Sequence, residues 1–126
     1  MGNLSARRER RAGPKRSHWM WYIFPQIAGL GMSYTAQLYA IKDIEEARQY
    51  IAHPVLGARL IEISQALLTL DCSDAAAVMG YPDDLKLRSC MTLFAQVSDD
   101  PVFDAVLAKF YGGMADARTL ELLSLT

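Results

Sequence analysis

Residues 53–70, HPVLGARLIEISQALLTL, carry the most regular helical pattern in the chain. The apolar positions that recur at spacings of three and four residues are Leu56, Leu60, Ile63, Leu67 and Leu70. This period places the apolar side chains on one face of an α-helix and the polar residues between them on the other. Pro54 stands where a proline in the first helical turn is tolerated. The stretch therefore predicts an amphipathic helix with one buried face.

Helical signals continue on both sides of this stretch. Asp43 and Glu46 form a capping-box pattern for the preceding helix. Later helix starts are predicted at the caps Ser73, Asp83 or Asp84, and Asp116 or Thr119, and near Pro101. No stretch alternates apolar and polar residues as a half-buried strand would. The prediction is an all-α fold, a single compact domain of about six to seven short helices with no significant sheet.

Composition places the chain among globular domains. It has 126 residues, of which 52% are hydrophobic and 21% charged, and its net charge is −1. These values argue against disorder and against bulk attraction to nucleic acid or anionic lipid. No apolar run reaches the roughly 20 residues of a membrane span. Cys72 and Cys90 form no CxxC pair, so reduced thiols in a cytoplasmic protein are predicted.

The first residues of the chain differ from the rest in charge. Residues 1–16 contain six arginines or lysines and one glutamate. Residues 1–12 are predicted to be a basic arm, disordered or truncated, ahead of a helical domain that spans residues 13–126. Such an arm can contact phosphates, and a solvated arm is the simpler interpretation.

Residues 13–31, GPKRSHWMWYIFPQIAGLG, mix large rings with polar side chains and form the candidate site. His18 is the candidate catalytic residue, because imidazole exchanges protons near neutral pH. The candidate ligand-binding residues beside it are Lys15, Arg16, Trp19, Trp21 and Gln26. Arginine suits a phosphate or carboxylate, and tryptophan stacks on flat rings. Under the structural alternatives, His18 bonds a backbone carbonyl and Gln26 caps the preceding turn.

A second polar group, PDDLK at residues 82–86, is predicted to complete this site. Adjacent carboxylates perform acid–base chemistry when one of them is desolvated. The residues assigned to ligand binding here are Asp83, Asp84 and Lys86. The alternative is that the two aspartates only cap a helix and place charge in its first turn. The sequence predicts no metal site and no cofactor, because His18 and His53 lack metal-ligand spacing to the cysteines. His53 is predicted to act at a helix terminus, and Tyr34 and Tyr39 to pack.

Four stretches resemble a bacterial family called domain of unknown function 1810. They are KRSHWMWYIFPQIAGLGMS (15–33), YAIKDIEEARQYIAHPVLGARLIE (39–62), GYPDDLKLRSCMTLFA (80–95) and GGMADARTLELL (112–123). The resemblance runs from about Gly13 to the C-terminus and implies a small, mostly helical, cytoplasmic domain without established activity. The label calpastatin, given to some members, describes a repeat-based inhibitor that this sequence does not resemble. The first helix of the family is missing or altered here, and Cys90 stands where a serine is usual.

Three functions are compatible with these patterns. The first is the binding or processing of a small anionic ligand, such as a nucleotide or sugar phosphate, at the Arg, His, Trp and Gln cluster. The second is a non-enzymatic module that binds a protein, or a second copy of the chain, through its aromatic region or uncovered apolar surface. The third, and weakest, is nucleic-acid contact through the basic arm. The patterns do not decide whether the protein is an enzyme.

Overall fold

Helices dominate the architecture. The computed structural model describes residues 23–31 and 34–125. This part of the chain forms seven helices: α1 (Tyr34–Tyr39), α2 (Ile44–Ala52), α3 (Leu56–Leu68), α4 (Ala75–Met79), α5 (Asp83–Ala95), α6 (Val102–Tyr111) and α7 (Ala117–Leu123). Its one extended pairing is an isolated parallel bridge between Ile27 and Ile41. The predicted all-α class is confirmed. None of these seven helices is both long and apolar enough to cross a membrane.

Helix α5 lies at the centre, where helices α2, α4, α6 and α7 all contact it. The spacing of Leu87, Cys90, Met91, Phe94 and Val97 predicts a buried stripe. The first four are fully buried, and Val97, beyond the end of α5, is partly buried. The neighbouring faces of α5 are buried as well, and they carry Ser89, Thr92 and Leu93. Hydroxyl side chains tolerate this burial because they are hydrogen-bonded: Ser89 Oγ donates to the carbonyl of Leu85 at 3.1 Å. The apolar stripe alone therefore understates how central this helix is.

Helix α6 packs against both α5 and α3. The sequence spacing of Phe103, Val106, Leu107 and Phe110 predicts an inward apolar face. All four residues are buried. The helix ends where Gly112 and Gly113 adopt φ values of +62° and +81°. Two glycines after an apolar helical run predict a helix end, since glycine adopts this left-handed backbone at little cost. The structure confirms that prediction.

Aspartate side chains cap the N-termini of three of the helices. At α2, Asp43 Oδ1 accepts from the amide of Glu46 at 2.9 Å, as the capping-box pattern predicts. At α7, Asp116 accepts from the amide of Thr119 at 2.9 Å. At α4 the predicted cap Ser73 is wrong by one residue, because Asp74 accepts from the amides of residues 76 and 77 instead.

Helices α2 and α3 meet at a tight corner. A Cβ atom at Gly57 would lie 2.0 Å from the carbonyl oxygen of Ile51, so the two backbones touch. The face of α3 turned inward is therefore centred on Gly57, Leu60, Ser64 and Leu67. The predicted stripe is wrong at its two ends, since Leu56 and Leu70 are 40% and 41% exposed.

A lysine from α6 caps the C-terminal end of α3. Lys109 Nζ donates to the carbonyls of Leu67 at 3.0 Å and Leu68 at 3.1 Å, and to that of Leu70. The last carbonyls of a helix lack partners within it and carry its negative dipole end. Lys109 therefore ties α6 to α3 by satisfying them.

We expect Gly57→Ala to destabilise the protein by at least about 3 kcal/mol, because a methyl group there overlaps a backbone carbonyl that cannot rotate away. Gly113→Ala is the matched control. Its added Cβ meets nothing within 4 Å, so only the positive φ contributes, about 1 kcal/mol. Urea unfolding followed by circular dichroism measures both free energies of unfolding. Equal losses in the two variants would contradict the close contact at the corner.

We expect Lys109→Met to lower the free energy of unfolding by about 1–3 kcal/mol, because the carbonyls at the end of α3 lose a charged donor while the apolar stem is kept. The acceptors are neutral, so the loss should persist at high salt. Lys42→Met, at an exposed position, is the control and should change stability little. A loss that disappears in high salt would instead indicate a surface ion pair.

Candidate functional site

The predicted site residues fall into two groups. Lys15, Arg16, His18, Trp19 and Trp21 lie outside the described residues, as does the basic arm at 1–12. The structure describes Gln26, Asp83, Asp84 and Lys86. The last three share the first turn of α5, whereas Gln26 belongs to the segment that precedes α1.

Gln26 is buried, with 2% of its surface exposed. Its backbone carbonyl accepts from the amide of Ile41 at 2.8 Å, and the amide of Ala28 donates to the carbonyl of Ile41 at 2.8 Å. Its side-chain Nε2 donates to the carbonyl of Phe24 at 3.4 Å. These local bonds fit the structural alternative, in which the glutamine amide closes the turn that follows Phe24.

The carboxylates of PDDLK lie inside the helix rather than before it. Helix α5 begins at Asp83 and has Pro82 at its cap position without a side-chain hydrogen bond. The prediction that an aspartate caps this helix is wrong, and the predicted first-turn charge is confirmed, since carboxylates are favoured near a helix N-terminus. Asp83 is 1% exposed, and its Oδ1 lies 3.9 Å from Lys86 Nζ. Within the described part of the chain, the buried Asp84 Oδ1 accepts no hydrogen bond.

A tyrosine and an arginine join this turn to the C-terminal helices. Tyr111 donates its hydroxyl to the carbonyl of Asp84 at 2.5 Å. Burial raises the pKa of Tyr111, the charge of Asp84 raises it further, and Arg88 partly opposes the rise. The guanidinium of Arg88 donates to the carbonyls of Met114 at 2.9 Å and Ala115 at 2.8 Å. Side-chain hydrogen bonds thus link the start of α5 to α6 and to the loop before α7.

Cys90 lies further along α5 and is completely buried. Burial raises the pKa of its thiol well above the ordinary value, so the reactive thiolate is disfavoured. A cysteine in this environment packs as a small apolar side chain. It offers no nucleophile to the first turn of α5.

A groove of about 460 Å³ opens where segment 38–41 faces α2 and the start of α3. Its apolar and aromatic walls are formed by Pro25, Leu38, Tyr39, Ile41, Tyr50 and Leu56. Its polar lining residues are Glu46, Gln49 and His53. An apolar concavity with a few polar groups is the usual form of a small-molecule site.

Core side chains pack against the residues that line the groove. The ring of Tyr50 lies 5.5 Å from that of Phe94 on central helix α5, and Phe94 lies 5.9 Å from Phe103. The bridge between Ile27 and Ile41 fixes the opposite wall. A ring placed on Tyr50 would therefore meet a surface that packing has already ordered.

His53 shapes the rim of the groove. Its Nδ1 accepts from the amides of Val55 at 3.0 Å and Leu56 at 3.1 Å. The predicted role of His53 at a helix terminus is confirmed. An accepting Nδ1 places the imidazole proton on Nε2, which remains as a hydrogen-bond donor.

The comparisons with known proteins agree with this architecture. The family model described as "Protein of unknown function (DUF1810)" matches residues 4–123. The chain belongs to the DUF1810 family. The crystal structure of the conserved hypothetical protein Rv1873 from Mycobacterium tuberculosis is similar to it, with 47% sequence identity and a TM-score of 0.85. The match covers 99% of this chain and 90% of that one. No curated protein matches the chain.

Sequence reasoning missed most of the groove in this DUF1810 protein. Tyr39 was expected to pack, and it is 46% exposed at the groove wall. The available signal was the face of α2 that carries Glu46, Gln49, Tyr50 and His53 at spacings of three and four residues. A polar helix face with one tyrosine resembles an ordinary solvated surface. Only the fold shows that this face of α2 lies opposite segment 38–41 and so lines a groove.

The raised pKa of Tyr111 predicts a loss of stability at alkaline pH. The unfolded chain releases the phenol proton above about pH 10, whereas the folded chain resists its release. The stability that Tyr111 contributes is therefore fully present below that pH and is lost as the pH rises above it. We expect Tyr111→Phe to lose about 1 kcal/mol at neutral pH, because the bond to Asp84 is removed, and to decline less steeply in alkali.

Urea unfolding across the alkaline range measures this difference. Tyr81→Phe is the matched control, since Tyr81 is 74% exposed, and it should follow the wild type. Parallel decline of the wild type and Tyr111→Phe above about pH 10 would contradict the assignment.

Proposed function

We propose that this DUF1810 protein binds a small molecule that has a flat ring and an anionic group, as nucleotides do. The observation that carries the proposal is the groove between segment 38–41 and the corner of α2 and α3. Its volume of about 460 Å³ falls within the range of roughly 300–1,000 Å³ that is common for ligand sites.

Two tyrosines supply the surface for a ring. Tyr39 presents a half-exposed side chain on one wall, and Tyr50 lies on the other, packed on Phe94. Aromatic side chains stack on flat ligands and lose little conformational freedom when they do so. A wall that is ordered before the ligand arrives reduces the entropy lost on binding.

The polar side chains of the groove suit the edge of a heterocycle. Gln49 can both donate and accept, and His53 retains Nε2 as a donor while Nδ1 is engaged. The carboxylate of Glu46 already accepts from the amide of Lys42 at 3.0 Å. Gln49 and His53 are therefore the side chains that would form specific hydrogen bonds with the ligand.

Part of the proposal rests on the sequence alone. Lys15, Arg16, Trp19, Trp21 and Gln26 stay predicted ligand contacts, as do Asp83, Asp84 and Lys86. His18 stays the predicted catalytic residue, and the present proposal concerns binding only. A cytoplasmic location belongs to the same proposal and is supported by the free thiols of Cys72 and Cys90.

A protein-binding surface is the second candidate, and a specific exposure favours it. On the short helix α1, Tyr34 is 79% exposed and Leu38 is 58% exposed. Large apolar side chains exposed on one element are typical of interaction sites. A partner protein, or a second copy of the chain, would use this helix face as a whole, whereas a ligand in the groove would use Tyr39.

We expect Tyr39→Ala to weaken the binding of nucleoside 5′-monophosphates by about tenfold, because a ring-stacking surface is removed. Tyr34→Ala, on the same helix but outside the groove, should leave affinity unchanged. Isothermal titration calorimetry measures affinity, and thermal unfolding gives a second readout, with about 2.7 kcal/mol of stabilisation at a hundredfold excess over Kd.

Two results would overturn the ligand proposal. One is the absence of binding by any of the four common nucleoside 5′-monophosphates to the wild-type protein. The other is equal weakening by Tyr34→Ala and Tyr39→Ala. Equal weakening accompanied by a shared change in oligomeric state, measured by sedimentation, would support the protein-binding surface on α1.

A further inference from the structure

A second cavity, of about 760 Å³, adjoins the groove along α3. Tyr50 and Leu56 line both spaces. The remaining lining of the second cavity includes Ile63 with two charged residues, Arg59 and Glu62. The two spaces therefore border the same two side chains, Tyr50 and Leu56.

Arg59 is the cationic group of this second cavity. It is exposed, and its guanidinium makes no hydrogen bond or ion pair among residues 23–31 and 34–125; its backbone amide donates to the carbonyl of Val55 at 3.0 Å. Other arginines on the described helices are engaged, since Arg88 binds carbonyls and Arg48 pairs with Glu45. A guanidinium presents paired N–H donors that match the oxygens of a phosphate or carboxylate.

The opposing charge in the same space is Glu62, one turn further along α3. In the groove itself the acidic group is Glu46, whose carboxylate accepts from the amide of Lys42. An anion near Arg59 is therefore attracted by one side chain and repelled by its neighbour. This arrangement favours an anion placed on the Arg59 side of the cavity, away from Glu62.

We infer that Arg59 binds the anionic group of the ligand whose ring occupies the groove. The inference rests on the proposed function and adds an anion-binding residue in the second cavity. The ligand then spans Tyr50 and Leu56, with its ring towards Tyr39 and its phosphate or carboxylate beside α3. The ligand class becomes a phosphorylated or carboxylated ring compound, which should bind more tightly than the uncharged compound with the same ring.

The test compares a nucleoside 5′-monophosphate with its own nucleoside, for each of the four common bases, by calorimetry. We expect Arg59→Gln to weaken monophosphate binding by about tenfold and to leave nucleoside binding within about twofold. Glu62→Gln should strengthen monophosphate binding a few-fold, because it removes the repulsion. Arg48→Gln is the matched control: its side chain is 57% exposed, it lines neither cavity, and both affinities should stay unchanged.

The outcomes separate this inference from the proposed function. If wild-type protein binds both ligand forms and Arg59→Gln changes the two affinities equally or not at all, the assignment of Arg59 is wrong and the groove proposal stands. If none of the eight compounds binds the wild type, the groove proposal fails and the role of Arg59 fails with it. Retained nucleoside binding by Arg59→Gln also shows that the variant is folded.

Discussion

The backbone contact between α2 and α3 at Gly57 is the constraint on which the groove depends. The absence of a side chain there lets the start of α3 reach the carbonyl of Ile51. The turn between the helices is fixed by the Gly57 amide, which donates to the carbonyl of His53 at 3.0 Å, and by the imidazole that caps α3. This corner places Tyr50 on one side and Leu56 on the other, so it creates the wall that both cavities share. A wider corner would separate the two side chains.

Central helix α5 supports this corner, because it contacts α2 and is itself packed against α4, α6 and α7. Its Phe94 supports Tyr50 beneath the groove. On another face, Thr92 Oγ1 accepts from the amide of Asp116 at 2.8 Å, and Asp116 in turn caps α7. Lys109 and Arg88 add further bonds to backbone carbonyls. Buried polar groups that find partners in this way stabilise the fold without exposing the core.

Local chemistry along the chain predicted much of the fold. The apolar period of α6, its glycine stop and the Asp43 cap depend on neighbours within a few residues, and they were predicted correctly. The face of α3 was predicted wrongly at its ends, because the helix stops at Leu68, before Leu70, and its buried face is centred on Gly57 rather than on Leu56. Burial on several faces of α5 depends on four surrounding helices, which no single periodic stripe reveals. The groove depends on Pro25, Tyr39 and Tyr50, which only the fold brings together.

An NMR titration of ¹⁵N-labelled protein with a nucleoside 5′-monophosphate locates the ligand without altering the chain. A ligand held in the groove and beside Arg59 should give the largest amide shifts at Tyr39, Tyr50, His53 and Arg59, with little change along α6 and α7. Shifts that concentrate along α6 and α7, or a spectrum that does not change, would contradict binding in the groove.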